Sequence, residues 1–226
     1  CLSRGLGDVY KRQNYTSDMD AHFPVAADTV INFYAYYPYQ ASLSNTLASY
    51  ELKDQIDIMY ATPILNKGKM DVQTEANGST AIVALSFNHQ LSAITIVIKK
   101  ADDIKETLVL QKVELVNYPA SVRMDIQTGQ LTTSDTKTDY PIPLASPITI
   151  TPTEATVATN YLLWPGEAPT FRFSISGHTY EVRPSQSFIA AKKQKYTFTI
   201  QAEDINVGAS INPWTEGPGG SGEIGI

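Results

Sequence analysis

The chain has three histidines, His22, His89 and His178, the side chains best suited to proton transfer near neutral pH or to metal binding. None stands at ligand spacing from another histidine or a cysteine, and no H-E-x-x-H pattern occurs. His89 lies between two apolar runs, where a turn histidine satisfied by backbone is expected rather than a catalytic base. The single cysteine is residue 1. It excludes an intramolecular disulfide framework, and a chain terminus does not hold a nucleophile in place. The G-x-S-x-G elbow is absent. Glu51, Asp54 and Asp57 are spaced by three and would share one face of a helix. Paired carboxylates can hydrolyse glycosides. Here Lys53 is interleaved and no aromatic platform follows, so a solvated face is the better reading. The stretch Gly217–Gly225 (GPGGSGEIG) lacks a G-x-x-x-x-G-K pattern and reads as a flexible tail, residues 217–226. The aromatic run Phe33–Tyr39 (FYAYYPY) has the rings to stack on sugars, but in a two-sided strand it reads as core and cross-strand pairs. No catalytic, metal or cofactor constellation survives, and the expectation is a protein that is not an enzyme.

The elements that would position any site are strands. The chain has 226 residues, 42% hydrophobic and 18% charged, which suits a packed domain and not a disordered one. A net charge of −6 opposes nucleic-acid binding, and the densest basic group is only Lys192, Lys193 and Lys195. No apolar run approaches the roughly 18 residues of a membrane span. The 13 Tyr and 7 Phe, with many Thr, Val and Ile, favour strands.

Period-two patterns place strands at Val30–Tyr37, Ser79–Phe87, Leu91–Lys99, Thr107–Val116 and Ser121–Ile126. Further strands are expected at Ile148–Thr151, Asn160–Leu163, Thr170–Ser176, Thr179–Val182 and Tyr196–Gln201. Ser176-Gly177 between two alternating runs predicts a hairpin. Leu91–Lys99 is apolar on both faces, as in a central strand. Two short helices are predicted, Leu47–Gln55 and Ala101–Glu106. The charged stretch Lys99–Glu106 marks a domain boundary, giving domains at 14–100 and 101–216. Residues 1–13 (CLSRGLGDVYKRQ) lack periodicity. Two readings compete: a lipid-bearing Cys1 of a mature lipoprotein, and a non-native extension similar to a translated adapter sequence. The second is the expectation.

Four segments occur in the order Ile31–Tyr39 (INFYAYYPY), Asp57–Ala61 (DIMYA), Leu85–Ser92 (LSFNHQLS) and Ala209–Trp214 (ASINPW). In this order the chain resembles, from about Asp20 to Gly217, the Bacteroides-type fimbrillin-like proteins, the subunits, anchors and tip adhesins of type V pili. The resemblance implies an all-β fold of two tandem transthyretin-like β-sandwich domains, the first incomplete here. It implies lipoprotein export, a cell-surface fimbrium held at the outer membrane by a lipid on the full-length precursor, and other fimbrial subunits as partners. Assembly would proceed by β-strand exchange. The alternative is a non-polymerising surface lipoprotein that binds glycans or host ligands. Two site expectations follow. Asp28-Thr29-Val30 fits the short Asp–Ser/Thr–aliphatic pattern of O-glycosylation in these bacteria, at Thr29; the competing reading is an ordinary β-favouring threonine at a strand start. The donor strand would be Ile205–Ile211, where Ile205, Val207, Ala209 and Ile211 alternate with small polar residues and Trp214 anchors the end; the competing reading is a plain final strand of the C-terminal sandwich.

Overall fold

The computed structural model describes residues 30–67, 73–74, 81–82, 84–201 and 205–213. The fold is all-β. In chain order the strands are β1 (Ile31–Tyr37), β2 (Leu47–Glu51), β3 (Met59–Lys67), β4 (Gln73–Thr74), β5 (Ala81–Ile82) and β6 (Phe87–His89). They continue with β7 (Ser92–Lys100), β8 (Leu108–Pro119), β9 (Ser121–Asp125), β10 (Leu131–Thr133), β11 (Lys137–Ile142) and β12 (Ile148–Ile150). The last five are β13 (Ala155–Leu163), β14 (Phe171–Ile175), β15 (His178–Val182), β16 (Lys192–Ile200) and β17 (Ile205–Pro213). A three-residue 3₁₀ turn, Leu52–Asp54, is the sole helical segment among the described residues. Three small sheets have the orders β1-β3-β6, β10-β9-β2 and β4-β5.

The chain divides into two compact units, each discontinuous in sequence. Of the described residues, the first holds those within 30–49, 58–88 and 124–131. The second holds 50–57, 89–123, 132–201 and 205–213. The charged stretch after β7, the expected boundary, is a turn between β7 and β8 and falls within the second unit.

In the first unit, β1 pairs with β3 in antiparallel register, Tyr36 opposite Tyr60. Tyr60 is buried, and its hydroxyl donates to the Gln127 carbonyl at 2.9 Å. The turn around Gly129 packs on that ring. Gly129 has φ +73°, and a Cβ there would lie 2.3 Å from Tyr60 Cδ1, so no other residue fits without displacing the ring.

The second unit is a β-sandwich. One sheet has the order β11-β8-β14-β15, with β12 also on β8; the other has the order β13-β7-β16-β17. The alternation of β14 and β16 buries Phe171, Phe173 and Ile175 from one sheet and Tyr196, Phe198 and Ile200 from the other. The rings meet across the gap: Phe198 lies 4.9 Å from Phe171 and 4.7 Å from Phe173, centroid to centroid. Each such buried ring contributes about 1.5–3 kcal/mol by area alone. Central β7 is buried on both faces, including Ala93, Ile94, Ile96, Val97 and Ile98, as its sequence predicts. The predicted hairpin is also present, with Ser176 at φ 48° and Gly177 at φ 85° joining β14 to β15.

Several expectations fail. Leu47–Glu51 is a strand, not the start of a helix, because Ala48, Tyr50 and Leu52 are the buried positions and their period is two. Ala101–Glu106 is a turn; two helical turns without an apolar face to pack are too short to persist. The predicted strand Ser79–Phe87 is broken, since residues 84–86 are not strand. Residues 1–13 and 217–226 and Thr29 lie outside the described residues.

Candidate functional site

The segment with a candidate role, Ile205–Ile211, lies in β17 at one edge of the four-stranded sheet. Trp214 lies outside the described residues. β17 runs antiparallel to β16 through nine consecutive register pairs, from Ile200 opposite Ile205 to Lys192 opposite Pro213, with no shift. The four apolar positions 205, 207, 209 and 211 are the partners of Ile200, Phe198, Tyr196 and Gln194. All four partners are buried. The intervening positions 206, 208 and 210 oppose Thr199, Thr197 and Lys195. The alternation read from the sequence is thus in phase with the core of the sandwich.

The support beneath β17 is rigid. β16 pairs in parallel with β7 over eight consecutive residues, from Lys193 opposite Ala93 to Ile200 opposite Lys100. Gln194, a buried polar residue opposite Ile211, is fully engaged. Its Oε1 accepts from the Ile189 amide at 2.7 Å, and its Nε2 donates to the Ser187 carbonyl at 2.9 Å and to the Tyr196 hydroxyl at 3.3 Å. Tyr196 donates in turn to the Gln186 carbonyl at 3.1 Å. Burial pushes the Tyr196 phenol up from its ordinary value, so it stays neutral across physiological pH.

The opposite edge of the same sheet is β13. Its pairing with β7 shifts register twice, between Thr156 and Ala158 and between Ala158 and Tyr161. Asn160 there adopts a left-handed φ of 49°. Gln55, in the loop after the 3₁₀ turn, docks its amide on the end of this strand. Gln55 Oε1 accepts from the Leu162 amide at 2.7 Å, and Nε2 donates to the Leu162 carbonyl at 3.0 Å and the Leu52 carbonyl at 2.8 Å. The side chain occupies the groups that an added strand would use. Gln55 was not a candidate from sequence, because its partner is 107 residues away.

The other chemistry-bearing residues are dispersed. Glu51 ends β2, Asp54 sits in the 3₁₀ turn and Asp57 lies beyond it, so the three carboxylates share no helix face. Asp57 instead pairs with His89, Nδ1 to Oδ2 at 2.5 Å. The ring thus has a carboxylate partner on Nδ1. His178 is exposed on β15. Tyr34 and Tyr39 of the aromatic run are exposed and Phe33 and Tyr36 are half-buried, so the run lies at the margin of the core and makes the cross-strand pair Tyr36 opposite Tyr60. Among the described residues, no group of three or more His, Cys, Asp or Glu stands together to hold a metal ion. Among them also, no helix is long and apolar enough to cross a membrane.

Residues 7–214 match the model of a family described as fimbrillin-like. The chain belongs to the fimbrillin-like family. The match begins at Gly7, inside the stretch that lacks periodicity. This fimbrillin-like chain is similar, at 28% identity over 220 residues, to a proposed fimbrium subunit, Fim1C, of Bacteroides uniformis. That alignment covers 90% of the chain and 67% of the relative. Two crystal structures share the fold. A proposed cell adhesion protein of Bacteroides uniformis has 21% identity and a TM-score of 0.62, over 89% of this chain and 80% of that one. A fimbrial protein of Bacteroides vulgatus has 16% identity and a TM-score of 0.64, over 89% of this chain and 82% of that one.

Proposed function

We propose that this fimbrillin-like chain is a cell-surface fimbrial subunit or accessory component that assembles with other subunits by exchange of strand β17. Family membership and the similarity to a proposed fimbrium subunit support the surface role. In this reading the protein is attached at the outer membrane through a lipid on its full-length precursor, and its two units act as transthyretin-like modules. The observation that carries the assembly step is the ladder of β17: an edge strand that pairs within its sheet with β16 alone, through an unbroken register. An identical strand from a neighbour restores the same backbone hydrogen bonds and refills the same apolar positions, so exchange costs little at equilibrium.

Polar replacement of Val207 and Ile211 in the full-length protein, in its native host, tests this reading. The expected outcome is a folded, exported monomer and no fimbriae by electron microscopy. Normal fimbriae would refute it. So would global unfolding of the monomer, which would place the strand permanently in its own core.

A further inference from the structure

A cleft of about 510 Å³ opens in the second unit, away from β17, between the end of β8, the start of β11 and the loop from β13 to β14. Its lining includes Asn117, Tyr118, Lys137, Trp164, Glu167 and Arg183. The loop that carries the indole is anchored at each turn. Tyr118 is buried and donates its hydroxyl to the Trp164 carbonyl at 3.2 Å. Gly166 exchanges two backbone hydrogen bonds with Phe188, at 2.9 and 2.7 Å. The Thr170 carbonyl accepts from the Val116 amide at 2.8 Å. Arg183 donates through Nε to the Ala168 carbonyl at 3.1 Å and through Nη2 to Glu167 at 2.7 Å. A site held this way loses little freedom when a ligand arrives.

Three features define what fits. Trp164 is half-buried, and among the described residues nothing accepts a hydrogen bond from its indole N–H. Gly166, at φ +141°, lies beside that edge, where a Cβ would touch Trp164 Nε1 at 3.4 Å. Lys137 is exposed, and among the described residues its ammonium has no acidic partner. With Arg183 against Glu167, the cleft carries one uncompensated positive charge on a chain whose net charge is −6. An unpartnered indole supplies a flat face and a donor; the lysine and the held guanidinium supply anion contacts; Asn117 supplies a polar rim.

We infer that this cleft binds a carboxylated saccharide, with a pyranose ring on Trp164 and its carboxylate toward Lys137 and Arg183. The ligand class covers uronic and sialic acids. The inference does not rest on strand exchange, and its test uses unassembled protein.

The test is titration of isotope-labelled protein with trigalacturonate, with sialyllactose and with lactose, following the indole N–H resonances. The chain has two tryptophans, so Trp164→Phe assigns the signal. At least one acidic saccharide is expected to shift the Trp164 resonance and to bind at least about tenfold tighter than lactose, the gain expected of one charge-assisted contact. Lys137→Glu should remove that preference and leave the rest of the spectrum unchanged, because Lys137 is exposed. A shift with trigalacturonate alone names a uronate ligand, and a shift with sialyllactose alone a sialylated one; both support the inference. It is overturned if neither acid moves the Trp164 resonance, if lactose binds as tightly, or if Lys137→Glu leaves the affinity unchanged.

Discussion

The two edges of the four-stranded sheet share one core but differ as pairing surfaces. β13 is interrupted by two register shifts and a left-handed Asn160, and Gln55 covers the Leu162 backbone at its end. The β17 ladder with β16 runs through nine register pairs without a shift. Bulges and side-chain plugs are the usual means by which an edge is closed to further strands. A regular edge invites pairing. Closing one edge and leaving the other regular would give association a direction, which a filament requires and a random aggregate lacks.

The contrast can be broken or sharpened by substitution. The largest effect is expected for Phe198→Ala, beneath the β17 edge. Its ring lies within 5 Å of both Phe171 and Phe173, centroid to centroid. The cavity should cost about 3–5 kcal/mol in denaturant titration, and assembly should fall with it because the partner position of Val207 is emptied. Next is Gln55→Asn, which tolerates the left-handed φ of 51° but is too short to reach Leu162. It should cost about 1–3 kcal/mol for the unpartnered backbone groups. More tellingly, it should create a new self-association through β13, seen as dimers in sedimentation; a variant that stays monomeric would mean the register shifts alone close that edge. The smallest effect is expected for Lys195→Ala. It removes a 2.5 Å ion pair with Glu154, but both side chains are about two-fifths exposed. The cost should be about 0–1 kcal/mol, and assembly should be unchanged.

Much of the fold is legible in the sequence where alternation is clean and local. β7 announces itself as a central strand because both of its faces are apolar, and β14 and β15 are joined by a turn pair that permits positive φ. β2 is hidden by its carboxylates: spacing of three among Glu51, Asp54 and Asp57 imitates a helix, while the buried set Ala48, Tyr50 and Leu52 follows period two. β11 is hidden by prolines, although Tyr140 and Ile142 are its buried positions. β3 carries no sustained alternation, and its burial follows its pairing with β1. The apolar phase of β17 is readable, because it repeats every second residue. The plug at Gln55 is not, since a side-chain amide that closes an edge 107 residues away leaves no local pattern. The indole cleft left one signal, the Trp164-Pro165-Gly166 turn, but its charge complement comes from Lys137 and Arg183 on separate strands and loops.

The central claim is that β17 pairs with the β16 of another copy. Thr197 and Gly208 are register partners in that ladder, so a cysteine at each reports the pairing. Two chains, one with Thr197→Cys and the other with Gly208→Cys, both with Cys1→Ser to remove the remaining thiol, are co-expressed during fimbrial assembly and oxidised. The account predicts disulfide-linked species that contain both chains. It is contradicted if no intermolecular bridge forms while a single chain carrying both cysteines closes its own bridge in full.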